Sequence, residues 1–333
     1  MTPVELSRTV LRAVRCAVDE GELRVAVPER VRVAPPGPGG CGDYATNVAL
    51  QLARPAGKPA RHVAEVLRPR LLRDFGIGDV VITGPGFLNI SLADAAPVAL
   101  VREILRCGFR YGHGDALKGR TVRLRAVSEV RAVVHADVVA RVLRSQGALV
   151  HVDDLDDLGN LNDPDGIVIR PVPAPADPAP LGPDAGRWAL LCPASHDRPR
   201  IGVEHLVQRE SNPLFRVRYA HARTRALLRN AGDLGFGPEP GPVTEAEAQS
   251  LLRVLADHPR VLAATAAQHA PDRLGRHLVA VADALPPLLP AVLPLGEEKP
   301  SAAHRARLAL ADAAGTVLAG GLSLLGIDAP DHL

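Results

Sequence analysis

The stretch Asn212-Pro-Leu-Phe-Arg-Val-Arg-Tyr-Ala-His-Ala-Arg-Thr-Arg-Ala-Leu-Leu-Arg-Asn-Ala231 constrains this chain more than any other. At about 100° per residue, Val217, Ala220, Leu227 and Ala231 fall on one strip, so the segment is a helix that must bury one side. The pattern continues from about Val203, with helices predicted over 212–232, 244–257, 258–269, 272–285 and 301–325. Gly232, Pro259, Pro286 and Gly326 serve as stops. Pro286-Pro-Leu-Leu-Pro-Ala-Val-Leu-Pro294 ends the preceding helix early, because proline has no amide hydrogen to continue it. Residues 203–333 are therefore expected to form an all-α helical bundle.

The rest of the chain is patterned differently. Residues 3–20 read as a helix with Val10, Val14, Ala17 and Val18 on one face, and Val25 to Val33 alternates like a strand. A Gly- and Pro-rich loop covers Pro35 to Gly42, followed by helices predicted over Asp43–Arg54 and Pro59–Asp74. Val80–Thr83 and Gly84–Leu92 form a strand pair, and 95–109 a helix. Together these make an α+β domain over 1–114. Residues 115–202 hold one βαβ unit, with a strand at Thr121–Ala126, a helix at Val134–Gln146 and a strand at Ala148–Val152. A reduced, Rossmann-like parallel sheet is the expectation there. An acidic turn (Asp153–Asp157) and a Pro-rich linker (Pro171–Pro183) come next.

With 47% hydrophobic and 23% charged residues over 333 positions, the composition is that of a folded protein with several cores. No run of 18 uncharged apolar residues occurs and the first twenty residues mix charge throughout, so neither a membrane span nor a signal peptide is expected, and the cytoplasm is the expected location. Cys16, Cys41, Cys107 and Cys192 are dispersed, with no metal-ligand spacing, so no metal is expected. Net charge is only +2 but unevenly spread: +8 over residues 1–150, −5 over 151–200 and −1 over 201–333. A basic N-terminal part suits an anionic partner such as RNA.

Two residue groups carry RNA chemistry. On the 212–231 helix, Tyr219 lies beside Arg216 and Arg223 at i−3 and i+4, with His221 nearby. An aromatic face between guanidiniums can stack an unpaired base while the cations hold phosphates. Phe87 and Asn89 share one side of a strand, one able to stack and the other to bond a base edge. Asn47 and Tyr44 serve equally well as cap and core.

Several blocks are similar to arginyl-tRNA synthetases. Asn212–Ala231, Ala270-Pro-Asp-Arg-Leu-Gly-Arg-His-Leu278 and Arg305–Pro330 resemble the family's DALR anticodon-binding domain. Gly42-Asp-Tyr-Ala-Thr-Asn-Val-Ala-Leu-Gln-Leu-Ala-Arg-Pro55 and Gly84-Pro-Gly-Phe-Leu-Asn89 resemble its additional N-terminal domain. The resemblance implies tRNA as partner, with Tyr219 and Arg223 at the anticodon loop and Phe87 and Asn89 at a D-loop nucleotide. Asp156-Asp-Leu-Gly-Asn160 resembles the segment after the second strand of the catalytic core, and Arg187-Trp-Ala-Leu-Leu191 the stretch just before the anticodon domain.

Roughly two hundred residues of that core are missing between them. The family's ATP site uses His-x-Gly-His at a helix N-terminus and a Lys-x-Ser-Lys loop. Here Ser128-Glu-Val-Arg-Ala-Val-Val-His-Ala-Asp137 stands at the first, and Lys58, Lys118 and Lys299 are the only lysines. No GxxxxGK loop compensates. Ser195-His196-Asp197 cannot form a triad, because contiguous side chains do not align. Asp154-x-Asp156-x-Leu158-Gly159 with Asp165 lacks the oxygen ligands of a calcium loop. The expectation is a non-catalytic tRNA-binding relative, without cofactor, acting on the arginine acceptor in an accessory role. Two alternatives stay open: residual or partner-dependent arginine–tRNA ligation, and a scaffold beside a full-length synthetase.

Overall fold

The computed structural model describes residues 1–37, 40–93, 96–154 and 166–333. The chain forms two compact units, Met1–Leu100 and Val101–Leu333.

In the first unit, helix α1 (Pro3–Asp19) opens with a capping box: Thr2 Oγ1 accepts from the Glu5 amide, and the Glu5 carboxylate accepts from the Thr2 amide. Leu6, Val10, Ala13, Val14 and Ala17 make its buried side. A four-stranded antiparallel sheet has the order β1–β2–β4–β3, from β1 (Val33–Ala34), β2 (Tyr44–Thr46), β3 (Ile77–Thr83) and β4 (Phe87–Leu92). Helices α2 (Val48–Ala56) and α3 (Ala60–Leu71) complete the core, with Val48, Leu52, Val63, Leu67, Leu88 and Ile90 buried.

Two expectations are corrected here. The helix predicted from Asp43 begins only at Val48; Tyr44–Thr46 is instead the strand that pairs Tyr44 with Ile90 and Thr46 with Leu88. Of the alternating run Val25–Val33, only Val33 and the following Ala34 find a partner strand. Val25 and Val27 still pack against the core, so burial explains their spacing without a ladder. The β3–β4 hairpin turns on Gly84 and Gly86, both at positive φ. A Cβ at Gly86 would lie 2.8 Å from the Ala60 backbone, so the position needs glycine for space as well as for φ.

Helix α4 (Ala96–Cys107) spans the boundary between the units. The second unit begins with a three-stranded parallel sheet in the order β6–β5–β7, from β5 (Thr121–Ala126), β6 (Leu149–Asp154) and β7 (Gly166–Ile169). Helix α5 (Val130–Ser145) makes the crossover between β5 and β6. The third strand, β7, lay outside the expected βαβ unit, although Ile167-Val-Ile169 is a β-branched run of the kind strands favour. The Asp156–Asn160 segment and Asp165 lie outside the described residues.

Helix α6 (Gly182–Leu191) ends the stretch expected to be linker, and its Trp188 is buried. The bundle comprises α7 (Pro213–Asp233), α8 (Ala246–Gln268), α9 (Pro271–Ala284) and α10 (Ala302–Leu325). The expected break at Pro259 is absent, since α8 runs through it as one helix. Pro259 leaves the Leu255 carbonyl without its helical donor, and the Tyr111 hydroxyl donates to that oxygen at 3.3 Å instead. Helix α10 is long and apolar enough to cross a membrane by length and composition, but 78% of its most apolar window is buried inside the protein.

Candidate nucleic-acid interface

Helix α7 is fixed at its start by Asn212, whose Oδ1 accepts from the Leu214 amide at 3.1 Å. The Asn212 Nδ2 donates to the carbonyls of His205 (2.8 Å) and Val207 (3.0 Å), tying the incoming chain to the helix. Leu214, Val217, Ala220, Leu227 and Ala231 are buried, so the strip read from the sequence is the side that packs into the bundle.

That packing leaves Tyr219 47% exposed. Its ring stacks on Phe215 one turn earlier, with centroids 5.5 Å apart and planes 23° from parallel. Sequence reasoning passed over Phe215, although its i−4 spacing from Tyr219 was visible. Arg223 is exposed and makes no ion pair among the described residues. Arg216 is committed differently: its Nη1 donates to both carboxylate oxygens of Asp283 on α9, at 2.8 and 3.0 Å. That pairing braces Arg216 beside Tyr219 and offsets its charge.

His221 does not join this surface. It is buried, its Nδ1 donating to the Pro330 carbonyl at 3.0 Å, and burial lowers its pKa so that the neutral ring is favoured. Its place is structural, because its wheel position is on the packed side of α7.

In the first unit, Phe87 and Asn89 do lie on the same side of β4, opposite Leu88 and Ile90. Phe87 is 41% exposed at the end of the hairpin, while Asn89 is only 2% exposed. The Asn89 Nδ2 donates to Thr83 Oγ1 at 2.7 Å, and Gly40 lies so close that a Cβ there would be 2.9 Å from the Asn89 Oδ1. The Asn89 amide nitrogen is thus engaged within the hairpin. Asn47 stands at the start of α2 without capping it, and its Oδ1 accepts from Gln51 Nε2 at 3.1 Å on the surface.

Helix α5 begins where β5 ends, and its own side chains fill its N-terminus. Glu129 Oε2 accepts from the Ala132 amide at 3.0 Å and Oε1 from the Ala174 amide at 3.1 Å. A carboxylate there takes the place a phosphate would need and repels one. Arg131, fully buried, donates to five backbone carbonyls: Leu190, Val172, Asp197, Pro193 and Ala194, at 2.7–3.1 Å. His135 contacts the Leu190 carbonyl as well, at 3.1 Å. The guanidinium gathers the segment from Val172 to Asp197 around the start of α5. The signal for it was legible, since Arg131, His135, Val138 and Val142 have the i, i+4, i+7, i+11 spacing of the buried side.

Comparison with known proteins places these features in context. Residues 217–333 match the family model of the DALR anticodon binding domain, and residues 8–92 that of the arginyl tRNA synthetase N terminal domain. The chain is 35% identical over 250 residues to an arginine–tRNA ligase of Renibacterium salmoninarum, a match covering 71% of this chain and 45% of that protein. It is 43% identical over 161 residues to the arginine–tRNA ligase of Pseudarthrobacter chlorophenolicus, covering 44% of this chain and 29% of the other. The matched portion spans less than half the length of these curated relatives. The arginyl-tRNA synthetase of Thermus thermophilus superposes with a TM-score of 0.70 at 15% identity, over 100% of both chains. That of Plasmodium falciparum superposes with a TM-score of 0.68 at 9% identity, over 99% of both. At such identities the likeness concerns the fold.

Proposed function

We propose, because the chain belongs to the arginyl-tRNA synthetase family, that it binds tRNA through α7 and does not itself activate an amino acid. The single observation that carries this reading is the Phe215–Tyr219 pair beside the exposed Arg223 on the open side of α7. The rings offer a stacking surface to an unpaired base and Arg223 a contact to phosphate, a combination suited to a tRNA loop. Phe87 extends the same chemistry to the first unit. The arginine acceptor is the expected tRNA, and an accessory or regulatory role the expected use.

The non-catalytic part rests on the start of α5. Glu129 occupies the helix N-terminus and Arg131 binds protein carbonyls, so neither position offers ATP a phosphate site. The short internal span between the two family matches, residues 93–216, supports the same reading.

Electrophoretic shift of total tRNA tests it. Wild-type protein should bind with salt-sensitive affinity, and Tyr219→Ala or Arg223→Ala should weaken binding by about fivefold to 150-fold, the loss expected of about 1–3 kcal/mol per stack or contact. No shift at low salt by the wild-type chain rules the reading out and leaves a protein scaffold as the better account.

A further inference from the structure

Beyond Ile327 the chain folds back along α7 and meets arginines that the RNA surface does not use. Gly326, at φ +70°, caps α10 and makes the reversal; a side chain there would collide with the Arg187 guanidinium. Ile327 is buried and anchors the start of the segment. Residues 328–332 carry two aspartates and are mostly exposed. The Asp331 carboxylate lies 3.2 Å from Arg225 Nε, and its carbonyl 3.5 Å from both Nη atoms of Arg229. Asp328 approaches Arg218 at 3.8 Å, although Arg218 is held more closely by Asp184, at 2.9 Å. His332 Nδ1 is 3.4 Å from Arg229.

Arg218, Arg225 and Arg229 recur at i, i+7 and i+11, so they share one stripe of α7. It lies roughly a quarter-turn or more from Tyr219 and Arg223. Besides its ion pairs, the segment over them is held by two main-chain bonds, from His221 Nδ1 to the Pro330 carbonyl at 3.0 Å and from the Asp328 amide to Asp184 Oδ1 at 3.2 Å. Between α10, α7 and the segment lies a cavity of about 730 Å³ whose wall includes Arg225, Asp312, Ala329 and Asp331. Exposed ion pairs of this kind contribute little to stability.

We infer that the Asp328–His332 segment is an autoinhibitory strap: the Asp331 carboxylate occupies Arg225, the Asp331 carbonyl and His332 lie against Arg229, both where RNA phosphates would sit, and polyanions displace it. The inference rests on the tRNA-binding reading above and names a regulation of that surface. With the strap in place, α7 presents Arg223 and Tyr219 alone; with it displaced, two further guanidiniums on the neighbouring stripe reach phosphate and widen the footprint.

The test neutralises the strap without removing it, in the full chain carrying Asp328→Asn and Asp331→Asn together. A control of equal charge, Asp233→Asn with Glu297→Gln, changes two exposed acids outside the strap. Binding is read with total tRNA across salt concentrations and by elution from a heparin column. The strap variant should bind tRNA about three- to tenfold more tightly than wild type, with a salt slope steeper by about one to two. Adding Arg225→Ala to the strap variant should cancel most of its gain. The control should move affinity much less than the strap variant. Equal gains in control and strap variants, or no gain in either tRNA or heparin binding, overturns the strap. If no variant binds tRNA while the strap variant alone elutes later from heparin, masking of the arginines stands and the tRNA reading falls.

Discussion

At the scale of single residues, burial decides what each polar group can do. His258 and His277 lie in the second unit with ring centroids 5.1 Å apart, and Tyr111 stacks on His258 at 5.8 Å. His258 Nδ1 and His277 Nε2 are buried without hydrogen-bond partners among the described residues. Desolvation lowers the His277 pKa to about 4, against an opposing pull from Asp257 and with a smaller push from Arg260, and His258 is lowered as well, by burial first and then by the neighbouring imidazoles of His277 and His113. A folded pKa below that of the unfolded chain means the unfolded state binds more protons on acidification. The stabilising contribution is whole above about pH 6.5 and is lost as pH falls toward 4. By pH 5 the loss from His277 alone should be roughly 2 kcal/mol. Urea midpoints at pH 7 and pH 5 check this: the wild-type midpoint should drop, and His277→Gln should flatten the dependence. A wild-type midpoint unchanged between the two would contradict it. The same rule separates the candidate site residues. Tyr219 and Arg223 stay open to a partner, whereas His221 and Asn89 are consumed by Pro330 and Thr83.

At the scale of elements, periodicity was a good guide wherever a segment packs on one side only. The strip Val217–Ala220–Leu227–Ala231 marked the buried side of α7, and the Gly84-Pro-Gly turn marked the hairpin. Local signals failed where a distant group supplied what the local chain lacked. Pro259 should stop a helix, yet α8 continues because the Tyr111 hydroxyl, 144 residues away in sequence from its acceptor, satisfies the Leu255 carbonyl. Tyr111→Phe should therefore destabilise the second unit by about 1–3 kcal/mol, since it leaves a buried carbonyl unpaired. Chemical denaturation of the variant measures this. A cost well under about 0.5 kcal/mol would mean that Pro259 needs no such compensation. Tyr44–Thr46 is the converse case. Its residues were read as helix, but pairing with β4 makes them strand.

At the scale of the whole molecule, two family-typical parts are retained and the span between them is short. A parallel sheet of three strands remains among the described residues, with α5 as its crossover. ATP–pyrophosphate exchange with arginine checks the consequence: it should stay at background for the purified chain. Turnover clearly above background would restore the ligase alternative and require an ATP site other than the start of α5. The family and the broad division into α+β, parallel-sheet and helical parts were legible in the sequence, because motif blocks and hydrophobic periodicity are local properties of the chain. Even the lack of His-x-Gly-His could be read there. What only the tertiary structure decided is which charges are free. Arg131, Arg216, Arg223 and Arg225 look alike in the sequence. One is buried among five carbonyls, one braced by Asp283, one open, and one covered by Asp331. An arginine's availability depends on partners brought from far along the chain, and no local pattern encodes those distances.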